Sequence, residues 1–208
     1  MMSETHGKLT WCELMTPDTS AAAKFYSSVV GWTTSEMKME GMPTYTIFEA
    51  NGIGVAGLME FPAELEGKGI PPNWTGYVDV DDVDQSAKDF AANGGSVRRP
   101  PEDIPTIGRF AVVADPHGAV LCIMTPAPME NPMPELAFDA PGNIGWRELY
   151  AANGEEALAF YSKRFGWTKH SEFDMGPMGV YYLFAHNGRQ IGGMMTKPEN
   201  LPMPFWCY

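Results

Sequence analysis

The sequence has little cysteine and no long apolar run. Its cysteines, Cys12, Cys122 and Cys207, are three in number, widely spaced and without a CxxC pair. A disulfide framework needs an even, closely spaced set and a zinc knuckle needs paired thiols, so neither is predicted, and free, buried thiols are expected. No apolar run approaches the roughly 18 residues of a membrane span, and the N-terminus lacks a basic patch followed by an apolar stretch. We therefore expect a cytoplasmic protein with no membrane partner.

Positive charge is also scarce. The chain has 14 Lys and Arg residues against 26 Asp and Glu residues, which gives a net charge of −12. Because phosphate backbones attract Lys and Arg and repel carboxylates, nucleic acid is not an expected partner. Apolar residues are plentiful: 44% of the 208 residues are hydrophobic and 12% are aromatic. This is enough for the core of one large domain or two small ones.

One stretch of the sequence occurs twice. Residues 11–33, WCELMTPDTSAAAKFYSSVVGWT, return as residues 146–168, WRELYAANGEEALAFYSKRFGWT, with ten of 23 positions identical. Average composition predicts about one or two identities by chance. The repeat therefore predicts that the chain builds the same structural unit more than once.

The first copy opens a predicted βαβββ module over residues 8–61. Its first strand precedes a helix with apolar residues at i, i+3, i+4 and i+7, which are Ala22, Phe25, Tyr26 and Val29. These residues form one apolar stripe along the predicted helix. Three strands follow, the first two of them separated by a turn at residues 40–43, EGMP.

The same order of elements is predicted twice more. Residues 73–126 form a second βαβββ module, and together the two modules make a predicted first domain over residues 1–126. Residues 127–143 are rich in proline and have no periodicity, so they are predicted to be an extended linker. A third module begins at residue 144, and residues 144–208 are predicted to be the first half of a second domain.

The half-domain is expected to need a partner. Trp206 matches Trp74, which stands at the entrance to the second module, so a fourth module would begin there. Without that module, a strand edge and an apolar face of the half-domain are uncovered, and such surfaces recruit partners. The expectation is either a fragment of a longer protein or a homodimer formed through the incomplete second domain.

Short motifs within these modules resemble those of the vicinal oxygen chelate superfamily. They are FY in the first helix, GW after it and DPHG before the last strand. This superfamily includes glyoxalases, bleomycin resistance proteins and extradiol dioxygenases, and the tandem arrangement is similar to two-domain glyoxalase-like proteins. The resemblance covers nearly the whole chain. It implies an α+β fold in which paired βαβββ modules form a curved sheet around a cleft that holds a divalent ion and the substrate in metal-dependent members.

The resemblance also implies where metal ligands would lie. They would occupy the first inward position of each module's first strand and a position in the strand after DPxG. These positions hold Trp11, then Thr75 or Trp74, and Cys122 or Leu121. Neither an indole nor a lone Thr provides what zinc or a harder cation requires. We predict no metal and no other cofactor in the first domain; the alternative is a divalent metal held in a non-standard way.

Two carboxylates are the candidate catalytic groups. Strand alternation places Glu13 on the same face as Trp11, and Glu148 repeats this arrangement beside Trp146. A carboxylate on a mostly apolar wall can act as a general base or anchor the amine of a ligand. The structural alternative is an ion pair with an inward-facing arginine, for which Arg109 is the candidate.

Aromatic side chains would form most of the predicted ligand site. The residues expected to contact a ligand are Trp11, Tyr45, Trp74, Tyr77, Arg109 and Cys122. Because aromatic residues are common in strands, the alternative for Tyr45, Trp74 and Tyr77 is a place in the core.

These observations predict a metal-independent, glyoxalase-like protein that binds a small apolar or aromatic molecule in the cleft of the first domain. The alternative is a lyase, isomerase or oxygenase that uses Glu13 as its base, with or without a non-standard metal site.

Overall fold

The structure is a computed structural model that describes residues 2–38, 44–65, 67–128 and 134–208. The turn predicted at residues 40–43 lies outside the described residues, as does part of the predicted linker. The chain divides into two compact units. We call them the small unit, Trp11–Thr75 with Glu130–Gly145, and the large unit, Met1–Thr10 with Gly76–Met129 and Trp146–Tyr208.

The predicted βαβββ order is present in all three modules. The first has β1 (Leu9–Met15), α1 (Thr19–Val29), β2 (Thr33–Met37), β3 (Tyr45–Ala50) and β4 (Ile53–Met59). The second has β5 (Asn73–Asp79), α2 (Val83–Ala92), β6 (Ser96–Ile104), β7 (Gly108–Ala114) and β8 (Val120–Pro126). The third has β9 (Arg147–Ala151), α3 (Gly154–Phe165), β10 (Thr168–Asp174), β11 (Val180–His186) and β12 (Arg189–Thr196), and β13 (Phe205–Cys207) follows. The predicted α+β fold class is confirmed.

Each helix begins at a short polar side chain. The carboxylates of Asp18 and Asp82 and the amide oxygen of Asn153 each accept a hydrogen bond from the backbone N–H three residues later. These caps satisfy N–H groups that have no partner within the helix. Helix α3 ends at Gly166, whose φ of +68° is in the left-handed region that favours glycine.

The strands of each module are arranged in the same way. Their order is β2-β3-β4-β1 in the first module, β5-β8-β7-β6 in the second and β10-β11-β12-β9 in the third. The first and last strands of every module pair in parallel, which places Glu13 opposite Gly57 and Glu148 opposite Gly193. Strand β13 then pairs antiparallel with β9.

The core of the small unit lies between α1 and the strands beneath it. Its buried members include Leu14, Trp32, Phe48, Ala56 and Leu58. Of the predicted stripe of α1, Ala22 and Tyr26 pack against this core.

The other half of the predicted α1 stripe is exposed. Phe25 is 57% exposed and Val29 is 65% exposed, and α1, all of whose residues are described, has no fully buried side chain. The predicted apolar stripe is therefore present, but it is only partly buried. The 3.6-residue periodicity identified an apolar face, but among the described residues of the small unit no element buries the outer part of it.

The helices of the large unit pack on each other. Helix α3 has six buried residues, and its Phe160 and Phe165 contact Phe90 of α2 with ring centroids 5.2 and 5.8 Å apart. Tyr161 is fully buried beside them and donates to the carboxylate of Asp115.

Part of the predicted linker packs on the small unit. Leu136 lies against its core, and the indole N–H of Trp32 donates to the carbonyl oxygen of Gly142 at 2.7 Å. This part of the predicted linker therefore makes both an apolar and a polar contact.

The free thiols differ in burial. Cys12 and Cys122 are buried, as predicted, whereas Cys207 is exposed. The prediction fails at Cys207 because alternation along β13 turns Trp206 into the core and leaves its neighbour facing outward. None of the helices in the described part of the chain is long and apolar enough to cross a membrane.

Candidate functional site

The repeated Trp residue contacts a tyrosine in each copy, and in the third module the repeated Glu contacts the same tyrosine. In the third module, the Trp146 indole N–H donates to the Tyr181 hydroxyl oxygen at 3.1 Å, and this hydroxyl donates to Glu148 Oε2 at 2.8 Å. In the first module, the Trp11 indole N–H donates to the Tyr45 hydroxyl oxygen at 2.9 Å. We call this arrangement the Trp–Tyr–Glu site; the first copy is Trp11, Tyr45 and Glu13, and the second is Trp146, Tyr181 and Glu148.

A glycine in the intervening strand allows each tyrosine to reach its partners. Gly57 lies opposite Glu13, and a Cβ atom at this position would overlap the Tyr45 hydroxyl. Gly193 has the same relation to Tyr181 in the second copy. Because any larger side chain would displace the tyrosine ring, the site depends on glycine at these positions.

The first copy presents an apolar surface beside a buried carboxylate. Trp11, Tyr45 and Ile47 are half-buried, and Glu13 is only 8% exposed. The Trp11 ring and the Ile47 side chain meet over Gly54. A flat aromatic and aliphatic surface of this kind suits a small apolar molecule, and the hydrogen bond from Trp11 to Tyr45 holds both rings in place.

Electrostatics in the second copy keep its tyrosines protonated. Burial, followed by the hydrogen bond to Glu148, raises the pKa of Tyr181 to about 12. A hydrogen bond to the same carboxylate raises the pKa of Tyr150. Both hydroxyls therefore keep their protons at neutral pH and remain hydrogen-bond donors. Tyr150 also stacks on Phe205, with ring centroids 5.1 Å apart.

Trp74, predicted to contact a ligand, lies on the helix side of the small unit. Its indole N–H donates to the Tyr26 hydroxyl at 2.8 Å, and its ring packs edge-on against Tyr26 with centroids 5.3 Å apart. It packs against the same buried core as α1. The structure thus brings Trp11 and Tyr45 together beside Gly57, which lies opposite Glu13, and places Trp74 in an aromatic cluster with Tyr26.

The other predicted residues lie in the large unit. Tyr77 is 6% exposed and Cys122 is 4% exposed, and they are paired directly across β5 and β8. The Tyr77 ring lies 6.5 Å from that of Phe110. This burial is consistent with a place in the core, which was the alternative for Tyr77.

Arg109 forms ion pairs with aspartates. Its Nε donates to Asp84 at 2.6 Å and its Nη1 donates to Asp103 at 3.0 Å. The hydrogen bond from Arg109 holds the pKa of the Asp84 carboxyl below its ordinary value, and the two carboxylates raise the pKa of the guanidinium. The predicted ion pair with Glu13 is wrong, because the guanidinium binds two acids from its own module.

Sequence reasoning did not identify Tyr181, Tyr150 or Phe205 as site residues. A signal for Tyr181 was available, since Tyr45 and Tyr181 recur at a spacing of 136, close to that of Trp11 and Trp146. No corresponding pattern marked Tyr150 or Phe205, whose stacking depends on the pairing of β13 with β9.

The side chains of the first copy are not a suitable set of ligands for a divalent metal ion. At the position that the resemblance assigns to a ligand, the Trp11 indole N–H is a donor that is already bound to Tyr45. Across the residues that the structure describes, no three His, Cys, Asp or Glu side chains lie together where they could hold a metal. The only carboxylate of this copy is that of Glu13, and one such ligand is too few for a zinc or magnesium site.

Comparisons with known proteins agree with the fold. Residues 8–123 match the family model of the Glyoxalase/Bleomycin resistance protein/Dioxygenase superfamily. The CFP32 protein of Mycobacterium tuberculosis is 42% identical over 130 residues, which cover 62% of this chain and 48% of CFP32. The anthracycline biosynthesis protein DnrV of Streptomyces peucetius is 32% identical over 192 residues, which cover 88% of this chain and 68% of DnrV.

A solved structure has the same fold. The Mn(II)-bound glyoxalase from Novosphingobium aromaticivorans aligns with a TM-score of 0.62 over 95% of this chain and 64% of that protein, at 16% identity. Identity this low shows a shared fold only. The chain's match spans about half the length of CFP32. The family match and the likeness to DnrV establish that this chain belongs to the glyoxalase/bleomycin resistance protein/dioxygenase superfamily.

Proposed function

We propose that this chain is a glyoxalase-like protein that binds a small apolar or aromatic molecule against the Trp11–Tyr45 surface, in the predicted cleft of the first domain, without a metal. The observation that carries the proposal is the hydrogen bond from Trp11 to Tyr45. This hydrogen bond occupies the indole N–H of Trp11, at a position where metal-dependent members are expected to have a metal ligand. It also leaves two half-buried rings as the binding surface.

The chemistry of this surface favours an uncharged, flat ligand. Offset stacking on an indole or a phenol adds about 0.5–1.5 kcal/mol to the burial of apolar area. The buried Glu13 lies on the same strand face as Trp11, and because a carboxylate accepts several hydrogen bonds it would select a ligand with a hydroxyl or amine donor. The proposed ligand is therefore an aromatic molecule with one polar donor group.

Ligand binding by Trp11 variants tests this proposal. A panel of phenols and aromatic amines would be screened by thermal shift, and binders measured by isothermal titration calorimetry. Trp11→Ala should weaken binding at least about tenfold, a loss of about 1.4 kcal/mol, while the matched variant Trp146→Ala in the second copy leaves it unchanged. Binding should survive millimolar EDTA. Loss of binding in EDTA, together with one metal per chain by elemental analysis, would overturn the metal-independent site.

A second candidate function uses Glu13 as a general base in a lyase, isomerase or oxygenase. Its burial favours this candidate, because a carboxylate at 8% exposure beside an apolar surface is protected from water. Glu148 is the corresponding residue of the second copy. Glu13→Gln separates the two functions: an enzyme loses turnover and keeps most of its ligand affinity, whereas a binding protein has no turnover to lose.

A further inference from the structure

The segment before β1 lies in a polar slot of the large unit. The Gly7 N–H donates to the carbonyl oxygen of Asp79 at 2.7 Å, and the Gly7 carbonyl oxygen accepts from the Trp167 indole at 2.7 Å. The His6 carbonyl oxygen accepts from the His186 ring at 2.8 Å. The second and third modules therefore both hold this segment. We call residues 3–7 the N-terminal strap, and the residues that hold it form the strap slot, made of Asp79, Asp81, Arg164, Trp167, His186 and Asn187.

The strap fits its slot only with glycine at position 7. Gly7 has a φ of +87°, in the left-handed region that favours glycine. A Cβ atom at this position would also overlap the carbonyl oxygen of Phe165. Any larger residue would therefore have a strained backbone and would displace the strap from the end of α3.

Polar contacts hold the strap along its length. The Ser3 N–H donates to the Asp81 carboxylate at 3.1 Å. His6 Nε2 donates at 2.7 Å to the carbonyl oxygen of Arg164, in the last turn of α3, where carbonyl groups have no partner within the helix. None of the strap residues has an apolar side chain, and Met2, which precedes them, is 51% exposed. A hydrogen bond stabilises by no more than about the free energy that ordering one backbone residue costs, so a segment without apolar burial is close to balance between bound and detached.

The repeat provides a matched segment in the small unit. Gly142 and Trp32 are the equivalents of Gly7 and Trp167, at a spacing of 135. The Trp32 indole N–H donates to the Gly142 carbonyl oxygen at 2.7 Å, and Gly142 also has a φ of +87°. In this segment, however, Leu136 packs against the core of the small unit. The two segments thus share the hydrogen bond from Trp to Gly, and the segment in the small unit also has an apolar anchor.

We propose that the N-terminal strap opens and closes as a unit while the rest of the large unit stays folded, and that the strap slot is a peptide-binding site. The slot presents the Trp167 indole N–H as a donor and the carbonyl oxygens of Asp79 and Arg164 as acceptors. A peptide with histidine and glycine at the positions of His6 and Gly7 satisfies all three groups. The occupant is the strap of the same chain, because covalent attachment gives it an effective concentration that the strap of a second copy does not have.

Hydrogen exchange on the full 208-residue chain tests the opening. The Trp167 indole N–H would be compared by ¹⁵N-resolved NMR with the backbone N–H of Leu149, a fully buried residue of β9 in the same unit. The protection factor of Trp167 should be at least about tenfold lower than that of Leu149, because only the strap has to open. In the small unit, Trp32 should be protected to within about threefold of the buried Leu58, because Leu136 anchors its segment. Equal protection of Trp167 and Leu149 would overturn the proposal, since the strap would then open only when the whole unit unfolds.

A Gly7→Ala chain and a free peptide test the slot. The added methyl group should detach the strap, so that the protection of the Trp167 indole N–H falls at least about tenfold while that of Leu149 is kept. A synthetic peptide of residues 2–10 should then bind saturably and restore the protection of Trp167, whereas the same peptide with Gly7→Ala should not. Gly142→Ala is the matched control chain, in which Trp167 should be protected as in the wild type.

Two results with these samples would overturn the proposal. One is the absence of saturable peptide binding to the Gly7→Ala chain at about 1 mM peptide, a concentration at which even a weak specific complex is half-formed. The other is a dimer in light scattering together with protection of Trp167 that rises with the concentration of the wild-type chain, which would make a second copy the occupant.

Discussion

The two copies of the Trp–Tyr–Glu site have the same hydrogen bond between indole and phenol, but the helices that follow them differ in burial. Helix α3 is covered by α2, whereas α1 has no fully buried side chain among its described residues. The copies share ten of 23 residues, so the difference does not come from the repeat itself. It comes from the neighbour, because burial is a property of the packing partner as much as of the side chain.

The largest expected effect separates the two helices. Phe160→Ala should lower the free energy of unfolding by about 3–5 kcal/mol, because its buried ring packs on Phe90. Phe25→Ala should change it by less than about 0.5 kcal/mol, because the ring is exposed. Urea unfolding of both variants measures the difference. Equal losses would show that α1 is covered in solution.

An intermediate effect is expected at the glycines that the two copies share. Gly57→Ala and Gly193→Ala should each cost about 1–3 kcal/mol, since the added methyl group displaces the tyrosine from its hydrogen bonds. Gly145→Ala is the control, with an expected change within about 0.5 kcal/mol, because its Cβ meets only the Phe138 carbonyl oxygen at 3.4 Å. Urea unfolding gives the free energies, and near-ultraviolet circular dichroism reports on the rings. If both substitutions leave the free energy of unfolding unchanged, this would contradict the close approach of each tyrosine hydroxyl to its glycine.

The smallest effect is expected at the tyrosine hydroxyl. Tyr181→Phe removes one acceptor for Trp146 and one donor to Glu148, which should cost about 1–2 kcal/mol at neutral pH. The pKa of Tyr181 is raised to about 12, above its unfolded value of about 10, so its stabilisation is complete below pH 10 and is lost as the pH rises through about 12. Unfolding at pH 9 and pH 12 should therefore show a smaller difference between variant and wild type at the higher pH. If the free energies of unfolding of variant and wild type differ by the same amount at pH 9 and pH 12, folding does not change the pKa of the Tyr181 hydroxyl.

Much of the first copy of the site could be predicted from sequence. Strand alternation placed Trp11 and Glu13 on one face, and the repeat identified Trp146 and Glu148 as their equivalents. These predictions succeed because side-chain direction along a strand has a period of two, whatever the strand packs against. Tyr45 was named as a ligand contact, but its hydrogen bond to Trp11 depends on a glycine of a different strand and is not visible in either segment alone.

Contacts with residues far away in the chain could not be predicted from the sequence. Arg109 was the candidate for an ion pair with Glu13 and instead binds Asp84 and Asp103, because a long side chain binds the nearest acids that the fold presents. The indole of Trp74 donates to Tyr26 of α1, a contact that the sequence did not indicate, and the ligand contact of Trp74 stays a prediction.

The sequence by itself determined the order of elements in three βαβββ modules and the face on which each repeated Trp and Glu lies. These follow from local periodicity and turn residues, which act over a few residues. The tertiary structure alone decided that α3 is covered and α1 is not, that Tyr45 and Tyr181 complete their sites, and that Arg109 binds aspartates. These features depend on contacts between residues far apart in the chain. A local sequence pattern does not determine which of those residues come together.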